Sequence, residues 1–385
     1  MGTVRLILAN PDSPALSNHL PAALRAGLES AQIPALDGLR AFSVLLVIFY
    51  HHNYPVPGDL GVLVFFVLSG FLITWLLLKE QAKHGDISLR LFYIRRSLRI
   101  FPAFYVYWFL VVGLFLATGK PVMPWGQVWA SFFYFTNYYQ AINGHLSSAL
   151  SHTWSLGVEE QFYLLWPVAL IALLRRQADL ARWLMVAIGA IWVWRAVLEF
   201  AIGVPEVWVY ESFDARADHL LIGCLLAVAL YRGVAPRLFA WLCCHPLMPI
   251  PTLALLIGEV VWSYGHSWSS RSFQFALRPL LVAVLMVQWI AFSRTPGWNW
   301  LNWKWLVYLG KISYSAYLYQ QIAPAFARPL TSLAPAWPPV VIDLPVTIAL
   351  AYASYRVIEK PFLKIKDRFG QRGSSITVAQ TTCPS

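Results

Sequence analysis

The feature of this sequence that most clearly suggests chemistry is an arginine and a histidine within one apolar segment, residues 36–52. Arg40 and His51 are eleven residues apart, so at about 100° per residue they return to nearly the same face of a helix, roughly 16 Å apart along its axis. Both side chains are costly in a bilayer unless they line a protein cavity. We therefore predict a buried site in which His51 takes a proton from a hydroxyl or is itself acylated for a moment. An interfacial histidine at a helix end is the competing interpretation.

A second group of cations precedes another long apolar run. Arg96 and Arg99 stand at i and i+3 and therefore share a helical face, with Arg95 alongside. Arginine forks match phosphate and pyrophosphate groups, so these side chains, with Arg40 deeper in the membrane, are candidates for binding a ligand that carries phosphate. Juxtamembrane arginines are also what the positive-inside rule produces without any ligand.

Two adjacent carboxylates, Glu159 and Glu160, stand with Gln161 at the start of a further apolar run. Carboxylates inside a membrane segment are expensive unless they are hydrogen-bonded, which favours a role in the site. They also suit the first turn of a helix, where the dipole and the free N–H groups favour negative charge. A functional role and a capping role therefore both stay open, and only one of the two glutamates needs to face inward.

Polar residues near the outer ends of other helices are candidates for the acceptor side of the site, where a substrate hydroxyl enters. Arg216 is two residues from both Asp214 and Asp218, and we expect an ion pair with one of them rather than a contact with the acceptor. The acceptor-side candidates are His152, Trp154, Arg216, Asp218 and Gln320. The four cysteines form neither a disulfide framework nor a metal-ligand spacing, and no metal site is predicted.

Composition identifies the elements that must position these groups. Of the 385 residues, 58% are hydrophobic and 12% are charged, whereas a soluble domain carries about twice that share of charge. The net charge of +11 comes from basic residues that lie between apolar runs, so it indicates orientation in a membrane rather than nucleic-acid binding. The fold class predicted is an all-α polytopic membrane protein.

Apolar runs long enough to span a bilayer predict about ten transmembrane helices. They lie at 38–54, 60–78, 100–118, 157–174, 183–203, 216–231, 247–264, 275–293, 309–325 and 338–357. With the N-terminus inside, 23 of the 29 Lys and Arg residues fall on inner segments, so both termini are predicted to be cytoplasmic. The aromatic run at about 126–140 is too short to span and is expected to be interfacial or re-entrant on the outer side.

This pattern divides the chain into three parts. Residues 1–34 are expected to form a cytoplasmic leader, and residues 35–362 to form the transmembrane domain. Residues 363–385 are expected to be a cytoplasmic tail that is first basic and then disordered.

Seven stretches, taken together and in this order, resemble the acyltransferase-3 family of integral membrane O-acyltransferases. They cover nearly the whole chain, from about Pro34 to Phe362. The stretches are Leu36–Arg40 with His51, Phe65–Thr74, Arg95–Pro102, Trp154–Pro167, Ala215–Gly223, Leu309–Leu318 and Ile358–Phe362.

The resemblance implies that 35–362 is an acyltransferase domain in a bacterial inner membrane. It implies a cytoplasmic acyl-CoA, usually acetyl-CoA, as co-substrate, and an extracytoplasmic glycan whose hydroxyl is the acceptor. By position, the family's first-helix pair falls on Arg40 and His51, its Arg-x-x-Arg pair on Arg96 and Arg99, and its motif glutamate on Glu159.

Two departures from the family pattern concern the acceptor side. Leu63 stands where the family often has a polar residue, and Gln320 stands where it usually has a histidine. The alternatives are therefore an acyltransferase for a small lipophilic acceptor such as a macrolide, and a transporter of acyl groups that makes no bond. Membrane lipid is an expected partner, nucleic acid is not, and a homo-oligomer stays an open option.

Overall fold

A computed structural model describes residues 20–30, 33–119, 123–265, 271–333 and 336–369. These ranges are almost entirely helical and contain no strand. The helices are α1 Ala22–Glu29, α2 Pro34–His51, α3 Gly58–His84, α4 Leu89–Thr118, α5 Trp125–Phe132, α6 Thr136–Asn143, α7 Trp154–Arg175, α8 Leu180–Ala196, α9 Glu206–Glu211, α10 Phe213–Arg232, α11 Pro236–Leu242, α12 Pro249–Gly265, α13 Arg271–Phe292, α14 Lys304–Lys311, α15 Ser313–Tyr319, α16 Ala323–Leu333, α17 Val340–Ser354 and α18 Lys360–Arg368.

The all-α membrane fold is confirmed, whereas the count of ten spans is not. In the described part of the chain, seven helical stretches are long and apolar enough to cross a bilayer. They are Pro34–His51, Gly58–His84, Leu89–Thr118, Ser151–Arg175, Leu180–Ile202, Arg271–Phe292 and Val340–Arg368. The bent pair Glu206–Arg232 and Pro236–Leu242 raises the number to eight if it is one span.

The remaining two predicted spans take other forms. Residues 247–264 contain a shorter apolar helix, Pro249–Ser263. Residues 309–325 fall on three short helices, α14, α15 and α16, rather than on one continuous helix. A hydropathy window adds up apolar residues and does not register such breaks. The cytoplasmic position of both termini stays a prediction.

The predicted leader contains a helix that packs into the fold. Leu24 and Leu28 of α1 are fully buried, and a β-carbon at Gly27 would meet the backbone carbonyl of Ile290 in α13 at 2.5 Å. The first 19 residues lie outside the described part of the chain. The same is true of residues 370–385, where the disordered part of the tail is predicted, while α18 covers the basic residues before them.

The aromatic run expected to be interfacial forms two short helices, α5 and α6, which are held against α7. Gln161 of α7 donates to the carbonyl of Tyr134, 3.0 Å away, and exchanges hydrogen bonds with the Asn137 amide. A β-carbon at Gly157 would stand 2.7 Å from the Tyr134 carbonyl, so only glycine allows this close approach. Gln161 therefore has a structural role, because it fixes the α5–α6 segment beside the start of α7.

Glycines allow α3 and α10 to cross in close contact. A β-carbon at Gly70 would overlap the backbone carbonyl of Leu220, and one at Gly223 would overlap that of Val67. Small residues at such crossings let helix backbones approach in a membrane. Gly70 therefore has a packing role, and the crossing orients the neighbouring Ser69 towards α7.

We expect Gly223→Leu to destabilise the protein by at least about 1–3 kcal/mol, because the leucine forces two packed backbones apart. Thermal unfolding in detergent measures this effect. Gly113→Leu is the matched control, since nothing lies within 4 Å of a β-carbon at Gly113 in α4. Equal melting temperatures for the two variants would contradict the close crossing.

Candidate active site

A cavity of about 900 Å³ runs through the helix bundle. Its walls come from α2, α3, α4, α7, α14, α15 and the stretch 359–369. Along α3 the lining extends from Val62 to His84, which at 1.5 Å per residue is about 33 Å, close to the thickness of a bilayer's hydrocarbon core. The cavity is therefore long enough to hold an extended substrate across most of a membrane.

One end of this cavity is rich in cations. Eight Lys and Arg side chains line the cavity: Arg40, Lys79, Lys83, Arg95, Arg96, Arg99, Lys311 and Lys366. All four predicted donor-binding arginines are among them. The first half of α2, the α3–α4 region, α14 and α18 place them together, although they are far apart in sequence.

The arginines differ in how they are held. Arg95 is paired with Glu80 at 2.7 Å, and Arg40 is paired with Asp37 at 3.2 Å. Arg96 lies over the ring of Tyr163, with its guanidinium carbon 4.0 Å from the ring centre. Within the described ranges, neither Arg96 nor Arg99 has an ion-pair partner. These two side chains are thus the ones most available to an anion.

Both glutamates of the predicted pair line the cavity, deeper than most of the cations. Glu159 accepts a hydrogen bond from Ser69 Oγ at 2.7 Å. The capping interpretation is wrong, because α7 begins at Trp154 and both glutamates lie beyond its first turn. The free N–H groups of a helix belong to that first turn. Glu359 also lines the cavity and accepts a hydrogen bond from Ser315.

The deep end of the cavity is closed by a pair of hydroxyl groups. Tyr317 and Ser155 both line the cavity, and their oxygens are 2.6 Å apart. Tyr317 also donates to the backbone carbonyl of His152 at 2.9 Å, and its ring centre is 5.3 Å from that of His152. The His152 imidazole therefore lies behind this wall rather than in the cavity.

The cavity predicted to be shared by Arg40 and His51 contains only Arg40. His51 lies beyond the deep end and is not among the residues that line the cavity. Val62 is the residue of α3 at the deep end of the lining. The neighbouring Gly61 packs against Ser43 and Val47 of α2, so the deep end of the cavity is at the level of Val47. His51 is one helical turn further out, about 6 Å along the axis. The imidazole is exposed at that end.

The tautomer of His51 follows from its own helix. Its Nδ1 is 2.8 Å from the carbonyl oxygen of Val47. A carbonyl can only accept, so Nδ1 carries the hydrogen and the lone pair of Nε2 is free to accept a proton. His52 is held differently, because its Nε2 pairs with Asp343 of α17 at 2.9 Å.

Buried polar groups without partners surround His51. The Gln320 side chain lies beside the His51 imidazole, and His152 is close enough to interact with it electrostatically. Gln320 and His152 are each 3% exposed, and in the described part of the chain neither has a hydrogen bond to its polar side-chain atoms. Unsatisfied buried polar atoms cost free energy, and a bound ligand or water removes that cost.

His145 is a third imidazole near His51, in addition to His152. It is paired with Glu211 at 2.6 Å and interacts with His51. The hydrogen bond to the Glu211 carboxylate raises the pKa of His145. The ion pair forms while the imidazole is protonated and the Glu211 carboxylate is ionised, and its contribution to stability is lost as the pH rises through the raised pKa of His145.

The expected ion pair between Arg216 and a neighbouring aspartate does not form. Asp218 instead accepts from Arg195 of α8, with distances of 2.8 and 3.1 Å, and Asp214 accepts from Tyr138 and Trp194. Residues two apart on a helix point about 200° away from each other, so Arg216 faces the opposite side from both.

Arg216 is fully buried, and within the described ranges its guanidinium has no hydrogen-bond partner. Four aromatic rings surround it, among them Phe275 at 3.9 Å and Trp154 at 5.9 Å. Cation–π contacts of this kind stabilise a buried guanidinium. Trp154 and Arg216 thus lie together, whereas Asp218 belongs to a separate structural ion pair.

Several residues of the site escaped the sequence interpretation. Tyr163 is one turn from Glu159, a spacing that could have revealed it. Tyr317 and Glu359 lie inside stretches that carried the family resemblance. No local signal points to His145. The described residues contain no group of three His, Cys, Asp or Glu side chains that could hold a metal ion.

Comparisons with known proteins identify the family to which the chain belongs. A family model described as an acyltransferase domain matches residues 33–356. The chain is 32% identical to the peptidoglycan O-acetyltransferase OatA of Listeria monocytogenes, over 86% of this chain and 56% of the relative. It is also 32% identical to YrhL of Bacillus subtilis, whose name likewise refers to peptidoglycan O-acetylation, over 86% of this chain and 54% of that protein. The chain thus spans about half the length of these relatives. No solved structure matches it.

Proposed function

This chain belongs to the acyltransferase-3 family, and we propose that it moves an acyl group, acetyl in the simplest case, from cytoplasmic acyl-CoA to a hydroxyl of an extracytoplasmic glycan. The protein acts in the cytoplasmic membrane of a bacterium with the cation-rich end of its cavity inside. The positive-inside distribution of Lys and Arg supports this orientation.

The observation that carries the proposal is the long cavity with eight cations at one end and an exposed imidazole beyond the other. CoA has several phosphates at one end and its thioester at the other. Arg96 and Arg99 bind the phosphates, with Arg40 and Arg95 beside them, and the pantetheine arm extends along α3. Glu159 orders the donor pocket through Ser69.

His51 acts as the general base. Its free Nε2 takes the proton of the acceptor hydroxyl while the oxygen attacks the thioester carbonyl carbon. The tetrahedral intermediate then collapses, the C–S bond breaks, and the imidazolium returns its proton to the leaving CoA thiolate. The thioester must reach past the Tyr317–Ser155 pair for this step, so these hydroxyls separate in the reactive state.

The acceptor hydroxyl binds among His51, His152 and Gln320. The buried, unpartnered polar atoms of His152 and Gln320 are donors and acceptors that a sugar hydroxyl satisfies. Trp154 is two residues from His152 and lies beside the buried guanidinium of Arg216, so we place it at the border of this outer pocket. A glycan is the acceptor class that these groups and the names of the relatives support, and peptidoglycan is the first polymer to test.

The experiment that tests the function uses purified protein, acetyl-CoA and peptidoglycan fragments. We expect release of free CoA thiol only when the glycan is present, together with an ester-linked acetyl group on the glycan by mass spectrometry. Thiol release without any acylated product would contradict the proposal. A product on a macrolide but on no glycan would support the alternative acceptor class, and transport without thiol release would support a transporter.

Gln320 provides a specific test of the outer pocket. We expect Gln320→Leu to lower acyl transfer about 3- to 10-fold, the value of one hydrogen bond, and to raise the KM for the glycan but not for acetyl-CoA. Gln320→His, which restores the residue usual in the family, is the matched control and is expected to keep activity. A leucine variant with unchanged glycan KM would place the acceptor elsewhere.

A further inference from the structure

The end of the helical stretch Val340–Arg368 carries a stripe of four cations on one face. Arg356, Lys360, Lys364 and Arg368 follow one another at intervals of four residues, and all four are exposed. Side chains four apart on a helix are neighbours, and like charges at this spacing destabilise it. The stripe therefore has an electrostatic cost that a bound anion would remove.

No carboxylate of the described chain neutralises this stripe. The hydrogen bond of Arg356 goes to the Tyr352 hydroxyl at 2.7 Å, a neutral group. Asp367 is 3.9 Å from Lys366, and Glu359 is turned inward to Ser315. The positive charge of the four side chains is thus available to a ligand.

The shape and position of the stripe fit a lipid headgroup. The four cations, with Pro361 and Ile365, line a groove of about 350 Å³. The exposed side chains of Val357 and Phe362 lie beside it. The stripe ends the continuous helical stretch Val340–Arg368, which is long and apolar enough to cross a bilayer, so it lies at the membrane surface. Basic residues and apolar side chains together characterise helices at that depth.

The groove is separate from the donor cavity. Lys366 lines that cavity and not the groove. It lies about 200° around the helix from Lys364, on the opposite face. We propose that the stripe binds the phosphate of an anionic lipid in the cytoplasmic leaflet, which fixes the last helix against the membrane surface. This site does not depend on the acyl-transfer proposal.

The test counts lipids bound to the full-length protein in detergent by native mass spectrometry, with phosphatidylglycerol or phosphatidylcholine as the probe. The variant changes all four stripe residues to Gln, and it is expected to lose at least half of the excess of phosphatidylglycerol over phosphatidylcholine. The control replaces four other exposed arginines with Gln and is expected to keep that excess: Arg175, Arg176, Arg182 and Arg237.

Three results would overturn the proposal. The stripe variant could keep the wild-type preference for phosphatidylglycerol, or the control could lose as much of it. Displacement of the bound lipid by CoA would instead assign the stripe to the donor site. Circular dichroism of each variant checks that the helices are intact, so that a lost preference reflects the charges.

Discussion

Replacing His51 with alanine is expected to lower acyl transfer by about 10²- to 10⁴-fold, the usual contribution of a general base. The reason is the position of its Nε2, which keeps a free lone pair because Nδ1 donates to the Val47 carbonyl. That bond lies within one helix, at its last turn, so its loss removes no contact between helices. The rate of thiol release at saturating acetyl-CoA and glycan measures the effect, with CoA affinity expected to be unchanged.

His52 is the matched control for this prediction. Its imidazole joins α2 to α17 through Asp343, so His52→Ala is expected to lower the melting temperature while each folded molecule keeps its activity. The His51 variant is expected to show the reverse pattern. Because His51 is exposed, added imidazole is expected to restore part of the lost rate. Full turnover by the His51 variant in a folded protein would show that the base is another group.

The sequence was informative where the physical signal is local. The helix α2 with Arg40 and His51, and the i, i+3 pair Arg96 and Arg99, depend on spacing along one helix and on the cost of burying charge. The cavity contains the four arginines predicted to bind the donor, Arg40, Arg95, Arg96 and Arg99, together with Glu159, and their role in donor binding stays a prediction. The resemblance to a family added roles that spacing alone does not assign.

What the sequence did not predict depends on packing between distant segments. Arg195 rather than Arg216 binds Asp218, because the direction in which each side chain points is decided by how α8 lies against α10. The pairing of His145 with Glu211 has the same origin. These contacts join residues 23 and 66 positions apart, and no local pattern encodes them.

The broken helix at 309–325 is a further case. A β-carbon at Gly310 would overlap the Asp37 carbonyl, so α14 is held tightly against α2, and the chain then continues as separate short helices. This break places Tyr317 at the end of the cavity and Gln320 near His51. In a continuous helix, as hydropathy predicted, each residue would be turned by about 100° from the one before it, and the directions of Tyr317 and Gln320 would be fixed relative to each other.

Replacing both Arg96 and Arg99 with glutamine is expected to raise the KM for acetyl-CoA by about 10²- to 10⁴-fold, because each charge-assisted hydrogen bond to a phosphate is worth about 1.5–3 kcal/mol. Both side chains line the cavity without an ion-pair partner in the described residues, so their charge is free for the donor. Titration of CoA by calorimetry gives the corresponding loss of affinity.

Two single variants make this expectation specific. Arg90→Gln removes a cation from the same helix outside the cavity and is expected to leave CoA binding unchanged. Arg95→Gln is expected to have a smaller effect than either change at 96 or 99, since Glu80 already neutralises Arg95. Each of the four arginines at positions 90, 95, 96 and 99 can be changed to Gln singly. Loss of CoA affinity by the same factor in all four single variants would mean that net positive charge, rather than the two unpaired arginines, attracts the donor.

Dephospho-CoA, which lacks the 3′-phosphate, can identify the phosphate that each arginine binds. If Arg99 binds the 3′-phosphate, then Arg99→Gln weakens CoA binding but has little further effect on dephospho-CoA, because the partner is already absent. A double-mutant cycle of this kind isolates the pairwise interaction from general charge effects. Additive losses for both arginines would assign them to the pyrophosphate, and unchanged binding throughout would remove them from the donor site.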